Sequence, residues 1–283
     1  MSDDIQLADD ALARVHDHRV TGPKAFKINK TEPDSIGGFG TDDKPLAKAE
    51  LKVLRKRLQA LQERLYAEHK QSLLIIFQAT DTGGKDSTTR RVFRGVNPQG
   101  VRVWSFKQPS AEELDHDFLW RYHDHTPAKG MISIFNRSHY EDVLIVRVKE
   151  LVPEEVWQDR YEHINAFERL LTDSGTRILK FFLDISREEQ RERLQDRLDK
   201  PDKHWKFHAS DLADREHWDD YQQAYEAMIR RTSTEQAPWY VVPANRKWYR
   251  DLVVARAIVE TLEEMDPQFP PPEEGLDKIE IPD

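Results

Sequence analysis

The segment that most constrains the fold of this chain covers residues 71–94, QSLLIIFQATDTGGKDSTTRRVFR. Residues 73–77 form a run of branched and aromatic apolar side chains, and a short turn after them ends in Gly83, Gly84 and Lys85. The residues that follow the turn have a spacing compatible with a helix. This order predicts a buried strand, a phosphate-binding loop and a helix.

The two glycines give this loop its chemical meaning. Adjacent glycines let the backbone pass close to a phosphate and direct successive N–H groups at it, while the helix that follows offers its positive N-terminal end. Lys85 is placed to reach the outer phosphates as a point charge. A Gly-Gly turn beside a lysine also occurs in ordinary loops, but the apolar strand before it and the helix after it favour a phosphate loop.

The loop departs from the common pattern G-x-x-x-x-G-K-[ST] at two positions. Ala79 stands where the first glycine belongs, and Asp86 stands where a Mg²⁺-binding serine or threonine belongs. Ser87 follows one position later. The pattern therefore indicates a phosphate loop that carries more acid than usual.

Composition excludes several classes of protein. The 283 residues carry a formal charge of -9, with 34% charged and 38% hydrophobic residues, so we expect no nucleic acid as main partner. No apolar run approaches the roughly 20 residues of a membrane span, and the acidic N-terminus lacks a signal peptide, so we expect no membrane partner and a cytoplasmic location. The absence of cysteine excludes thiol chemistry, and the three histidines at 116, 123 and 125 lack zinc spacing.

Strand and helix patterns alternate along the whole chain. Strands are predicted at residues 72–79, 101–106, 131–135, 177–184 and 237–244. Helices are predicted at residues 45–70, from 84 to the turn at 97–100, and at 111–124, 151–175, 186–198, 212–231 and 246–265. The alternation predicts an α/β fold with one five-stranded parallel sheet covered on both faces. Residues 1–42 are expected to form an arm that wraps the domain, covers part of a site or is simply mobile. Residues 43–266 are expected to form the catalytic domain, and residues 267–283 a flexible tail.

Two groups of arginines are candidates for a polyanion site. Arg90, Arg91 and Arg94 follow the loop, where they either line a polyanion path or form a solvated basic face. Arg187, Arg191, Arg193 and Arg197 lie on a helix that directly follows a strand, within a predicted lid at about residues 186–210. Interleaved acids allow a solvated ion-pair interpretation of this helix, but we favour the lid.

A second polar stretch, residues 136–142, follows the third strand. Asn136 is neutral where this kind of fold often presents an acid to Mg²⁺, and Arg137 is a candidate phosphate clamp. Asp81, Glu141 and Asp142 are the candidate acids for the metal. Glu141 and Asp142 also suit the first turn of a helix, where negative charge is favourable.

Several stretches together resemble one known family. They are FQATDTGGKDSTTRRVFRGVNPQG, SFKQPSAEELDHDFLWRYH, FNRSHYEDVLIVRV, INAFERLL, WKFHASDLADREHWDDYQQAYEAM and APWYVVPANRKW. They resemble the polyphosphate kinase 2 family over about residues 20–265. The form Asn-Arg-Ser-His-Tyr-Glu-Asp is similar to the third class of that family, whose members phosphorylate both AMP and ADP.

The resemblance implies a thymidylate-kinase-like P-loop core, a three-layer sandwich with a helical lid, and Mg²⁺ as cofactor. It implies a homo-oligomer, dimer or tetramer, and polyphosphate, AMP, ADP and ATP as ligands. The catalytic residues it implies are Asp81, Lys85, Asn136, Arg137 and Arg147. The phosphate- or nucleotide-binding residues are Thr82, Gly83, Gly84, Asp86, Ser87, Arg90, Arg91, Arg191, Arg193 and Arg197. The predicted Mg²⁺ ligands are Asp81 and Asp142.

The expected activity is direct transfer of the terminal phosphoryl group of polyphosphate to AMP and then to ADP. Two alternatives remain open at this point. One is an ATP-dependent nucleoside monophosphate kinase on the same fold. The other is a non-catalytic module that binds nucleotide or polyphosphate and regulates a partner.

Overall fold

A single parallel sheet forms the centre of the molecule. The computed structural model describes residues 15–276, 279 and 281–282. The strands of the sheet are β1 (Ser72–Gln78), β2 (Val101–Ser105), β3 (Ile132–Asn136), β4 (Thr176–Asp184) and β5 (Trp239–Pro243). Their spatial order is β2-β3-β1-β4-β5, and all four neighbouring pairs are parallel. The predicted α/β class and the five predicted strands are confirmed.

Helices connect these strands in the described part of the chain. They are α1 (Lys44–Glu68), α2 (Lys85–Val92), α3 (Ala111–Leu114), α4 (Trp120–His123), α5 (Ile145–Val148), α6 (Glu154–Asp173), α7 (Arg187–Asp199), α8 (Ala209–Glu216), α9 (Trp218–Thr232) and α10 (Lys247–Met265). The 3₁₀ segments His139–Val143 and Pro201–Lys206 follow β3 and α7. None of the described helices combines the length and the apolar character that crossing a membrane requires.

The central strand β1 is apolar on both sides because helices cover both faces of the sheet. Leu73, Ile75 and Phe77 pack in one hydrophobic cluster with α1 and α10. Leu74 and Ile76 point the other way, into a second cluster with α6 and α9. This alternation follows from the period of two along a strand, and it produces the predicted three layers.

The leucine stripe of α1 behaves as its spacing predicts. Its five members are all buried against α10 and the sheet: Leu51, Leu54, Leu58, Leu61 and Leu65. Gly175 ends the turn after α6 with a φ of 91°, a conformation that glycine adopts without steric cost. The leucine spacing and the glycine at the helix end both correspond to the observed structure, because each depends only on local geometry.

The predicted helix over residues 111–124 is divided into α3 and α4. Its capping box forms as expected, because Ser110 and Glu113 exchange hydrogen bonds between side chain and backbone N–H, at 2.7 and 3.2 Å. The interruption lies at Asp117, whose Oδ1 accepts from the N–H of Leu119 at 2.9 Å. Such a local bond competes with the helical backbone pattern.

Two other helices differ from their predicted bounds. The pattern over residues 212–231 is two helices, α8 and α9, that meet at His217, whose ψ of 25° lies outside the helical range. The helix after the loop ends at Val92 rather than at the turn near residue 97. In both places the apolar spacing continues while the backbone turns.

The arm wraps the sheet at its β5 edge. Val20 N–H donates to the carbonyl of Trp239 at 2.8 Å, and Val241 N–H donates to the carbonyl of His18 at 2.9 Å. Farther along the arm, Asn245 N–H donates to the carbonyl of Pro33 at 3.1 Å. The parts of the predicted arm and tail at residues 1–14, 277, 278, 280 and 283 lie outside the described residues.

Candidate active site

The phosphate loop lies at the carboxyl edge of the sheet, where neighbouring strands diverge. Strand β1 ends at Gln78, between β3 and β4, and its Phe77 is in register with Asn136 at the end of β3. Crevices at such a switch point bind ligands in open α/β sheets. The loop that follows β1 therefore faces the most favourable binding position of this fold.

Neighbouring atoms leave no room for a side chain at either loop glycine. A Cβ at Gly83 would lie 2.4 Å from the Cβ of Ala79, the residue that replaces the first glycine of the common pattern. Gly84 has a φ of 106°, and a Cβ there would lie 2.0 Å from a guanidinium nitrogen of Arg250. The methyl group of Ala79 thus uses the space that Gly83 leaves open.

Two side chains of α7 hold the loop by its carbonyls. Arg193, buried, donates to the carbonyls of Thr82 at 3.0 Å and Gly83 at 3.2 Å through Nη1. Gln190 Nε2 donates to the carbonyl of Asp81 at 3.2 Å. Because carbonyl oxygens repel phosphate, turning them toward these two donors leaves the loop N–H groups for an anion. The predicted lid helix therefore contacts the loop directly.

Lys85 lies at the start of α2 beside this loop. Its Nζ donates to the carbonyl of Ala79 at 3.0 Å. Burial, followed by repulsion from Arg137, lowers the pKa of Lys85, while Asp81, Glu141 and Asp86 oppose this effect. A bound anion beside Lys85 would offset the cost of burying its ammonium group.

Arg137 stands opposite the lysine, between two acids. Its Nη2 lies 3.3 Å from Oδ1 of Asp81. Glu141 is the largest cause of the raised pKa of Arg137, burial opposes it, and Asp81 adds to it. The Arg137 side chain is 43% exposed, so it is open to contact with a ligand.

Asn136 and Asp86, the two positions that depart from the usual pattern, contact each other. Asn136 Nδ2 donates to Oδ1 of Asp86. The acid therefore sits on the helix and the neutral partner on the strand. Asp86 keeps an exposed carboxylate at the loop.

The residues around the loop suit Mg²⁺ that is held mainly by phosphates. Mg²⁺ commonly takes one or two carboxylates together with substrate phosphates and water, and Asp81 and Asp86 supply carboxylates here. Within the described residues, no group of three or more His, Asp or Glu side chains could hold a metal alone. Asp142, the other predicted ligand, already accepts from Tyr122 at 3.1 Å and Arg160 at 3.3 Å, and burial raises its pKa to about 6.

An aromatic cleft opens beside Asp81 and Arg137, on the face of the sheet that α9 covers. We call it the acceptor cleft. Its walls include Trp218, Tyr221 and Tyr225 of α9 together with Glu141 and Asp214. The aromatic residues were not assigned to the site from sequence, although their spacing of three and four residues places them on one side of a helix.

A basic face lies on the other side of the loop, where α1, α2 and α10 pack. Its six cationic residues are Arg55, Arg91, Arg94, Lys247, Arg250 and, from α7, Arg193. Arg193 and Arg250 are buried beneath the other four. Burial, and after it mutual repulsion, lowers the pKa of Lys247, and Glu189 partly offsets this. Asp251 accepts from Arg250 at 2.6 Å and from Arg91 at 3.0 Å. Arg250 and Asp251 were missed because nothing in their local sequence marks them.

The other predicted arginines have separate surroundings. Arg147 lies over the ring of Trp157, 4.9 Å from its centre, on α5. Arg197 donates to the carbonyl of Lys206 at 2.8 Å and to Asp211 at 3.2 Å, inside the predicted lid. Arg90 and Arg191 are exposed. Their roles stay predictions. Ser87, also predicted, accepts from Arg250 at 3.2 Å.

Comparisons with known proteins agree on one family. Residues 41–270 match the family model described as Polyphosphate kinase 2 (PPK2). The chain is 56% identical over 264 residues to the AMP/ADP-polyphosphate phosphotransferase of Meiothermus ruber, covering 93% of this chain and 98% of the relative. It is 44% identical to the ADP-polyphosphate phosphotransferase of Rhodopseudomonas palustris, over 87% and 92% of the two chains. The crystal structure of polyphosphate kinase 2 from Arthrobacter aurescens superposes with a TM-score of 0.88 at 43% identity, over 92% and 93%.

Proposed function

The chain belongs to the polyphosphate kinase 2 family, an enzyme family that transfers phosphate between polyphosphate and nucleotides, and we propose that it phosphorylates AMP to ADP and then ADP to ATP. The observation that carries this proposal is the position of the phosphate loop between two unlike surfaces. The acceptor cleft is aromatic, and the basic face is densely cationic. A nucleotide and a polyanion are the two ligands that suit them.

The acceptor cleft suits the nucleotide. Tyr221 and Trp218 offer rings on which a base can stack, since every base has an apolar π-face. Arg137 faces the same cleft and is placed to contact the acceptor phosphate. The basic face suits polyphosphate, because a repeating anion gains most from several cations that are already close together.

The transfer needs positioning and charge stabilisation more than covalent catalysis. An oxygen of the acceptor phosphate bonds to the terminal phosphorus of polyphosphate, and the bond from that phosphorus to the bridging oxygen breaks. The shortened polyphosphate leaves with the negative charge. Lys85 and the loop N–H groups hold the phosphates, and Arg137 neutralises charge on the transferred group. The attacking oxygen is already anionic, so no general base is required.

Mg²⁺ is the proposed cofactor. When bound, it would supply positive charge that offsets the negative charge of the phosphates. Asp81 and Asp86 are the residues placed to hold it, while the hydrogen bonds to Asp142 favour a structural role for that acid.

A direct test uses purified protein with polyphosphate, Mg²⁺ and AMP, and no ATP. We expect ADP first and ATP later, measured by chromatography, and no product would contradict the proposal. Product from ATP and dTMP but not from polyphosphate would favour the nucleoside monophosphate kinase. Tight binding without turnover would favour the regulatory module. Cytoplasmic location and a dimer or tetramer remain part of this proposal and follow from the substrates and the family resemblance.

A further inference from the structure

A cluster of charged and polar groups is buried beneath the active site, on the face of the sheet that α6 covers. We call it the buried ionic cluster, and it consists of His139, Tyr140, Glu168 and Lys180, each at most 2% exposed. Lys180 Nζ donates to Glu168 Oε2 at 2.7 Å and to the hydroxyl of Tyr140 at 3.0 Å. The same hydroxyl donates to Glu168 Oε1 at 2.6 Å, and a ring nitrogen of His139 lies 3.3 Å from that oxygen.

The cluster ties three parts of the fold to one turn. Lys180 belongs to β4 and Glu168 to α6, and Lys180 also donates to the carbonyl of Thr232 at the end of α9, at 2.7 Å. His139 and Tyr140 belong to the turn that joins β3 to α5. The strand, both helices and the turn are therefore fixed relative to one another by a few short hydrogen bonds.

The same turn carries the active-site side chains. Arg137 precedes the buried pair in sequence, and Glu141 follows it. Arg137 has a φ of 62°, a strained conformation for a non-glycine residue that persists where the surroundings enforce it. His139 and Tyr140 point inward to the cluster, while Arg137 and Glu141 line the acceptor cleft.

Stability alone is a weak explanation for such a cluster. Removing two charges from water is costly, and apolar residues of similar volume often stabilise a fold as well or better than a buried ion pair. What an ion pair with short directional bonds adds is a defined geometry. The part of the molecule that needs a defined geometry here is the strained turn at Arg137.

We propose that Tyr140, Glu168 and Lys180 are positioning residues, which hold the turn at residues 137–141 so that Arg137 meets the transferred phosphoryl group. This inference rests on the proposed function. It assigns the cluster an effect on kcat, because the geometry of Arg137 matters most when charge develops in the transition state.

The first experiment replaces Tyr140 by Phe, which removes one hydroxyl and keeps the ring. We expect kcat to fall about tenfold, the equivalent of ~1.4 kcal/mol in the barrier, while KM for polyphosphate changes less than about twofold. The matched control is Thr176→Val. It removes the buried hydrogen bond between Ser72 and Thr176, 2.9 Å long, at the amino ends of β1 and β4. An equal loss of kcat in the control would overturn the proposal.

The second experiment is a double-mutant cycle between Tyr140→Phe and Arg137→Lys. If Tyr140 acts through Arg137, the double variant loses less kcat than the product of the two single losses. A loss equal to that product would overturn the proposal. The wild-type rate, measured alongside, tests the proposed function itself. An inactive wild type would contradict that function but would say nothing about coupling between Tyr140 and Arg137.

The third experiment separates positioning from stability. Lys180→Met combined with Glu168→Leu replaces the ion pair by apolar side chains, and thermal unfolding checks that the double variant folds. We expect a kcat reduced about as much as in Tyr140→Phe. A folded double variant with wild-type kcat would overturn the proposal. If this variant does not fold, the Tyr140 cycle decides the outcome.

Discussion

The acceptor cleft and the basic face flank the same loop but differ in nearly every physical property. The cleft combines aromatic rings with the acids Asp81, Glu141 and Asp214 around a single half-exposed arginine. The basic face gathers cations whose repulsion, after the effect of burial, lowers the pKa of Lys247. Burial also lowers the pKa of Arg250, and Asp251 opposes that effect. A chain of net charge -9 has thus concentrated positive charge at one place. In the proposed function, the two substrates approach Lys85 from these opposite sides.

The largest effect is expected at the point that both surfaces share. Lys85→Ala should lower kcat by about 10³-fold or more, because a preorganised charge at the transferred phosphate stabilises the transition state by several kcal/mol. Steady-state kinetics with each substrate varied in turn would measure it. Lys129→Ala, an exposed lysine before β3, is the matched control. If Lys85→Ala changed the KM of only one substrate and left kcat intact, Lys85 would serve only one of the two surfaces. That result would contradict its position as the point that both surfaces share.

A smaller effect should separate the cleft from the face. Tyr221→Ala removes a ring of the acceptor cleft, and we expect KM for AMP to rise about tenfold, since stacking on one base is worth ~1–3 kcal/mol. KM for polyphosphate should stay unchanged. Tyr221→Phe keeps the ring and should retain the wild-type KM for AMP. If Tyr221→Ala raised KM for polyphosphate instead, the assignment of the two surfaces would be reversed.

The converse change lies on the basic face. Lys247→Gln should raise KM for long polyphosphate roughly threefold, with a smaller change at high salt because ions screen exposed charges. KM for AMP should not change. Lys129→Gln serves as the control of equal charge. Unchanged KM for polyphosphate at low salt would contradict the role of this face.

The smallest effect concerns a group that belongs to neither surface. Asp184 is 3% exposed at the end of β4, and burial raises its pKa to about 7, opposed by a hydrogen bond from Thr31. The folded chain thus keeps a proton that the unfolded chain loses near pH 4, so this group reduces stability as pH rises from about 4 to 7.

Asp184→Asn removes that penalty. The difference in melting temperature, variant minus wild type, should therefore increase from pH 5 to pH 8. It should increase by about 2–4 °C for each kcal/mol of unfolding free energy regained. Both KM values should be unaffected at any pH. A melting difference that does not change with pH would show that Asp184 does not titrate in this range.

Sequence patterns predicted the features that depend on neighbours in the chain. The strand, loop and helix at residues 71–94 and the alternation of strands and helices depend on local patterns. The same is true of the helix caps, where Ser110 and Ser186 accept from the backbone N–H three residues on. The break at His217 was not predictable, because the apolar spacing runs through it. Arg250 was missed for a related reason. Its partners, Gly83 and Ser87, lie more than 160 residues away in sequence, and only tertiary packing brings them together.

The arm along β5 has a consequence for the time course of folding. Its residues His18 and Val20 are synthesised long before the backbone groups they bind, which belong to Trp239 and Val241. Contacts between such distant parts of a chain form slowly, because a long loop must close first. The arm therefore reaches its place on the sheet only after β5 has been synthesised.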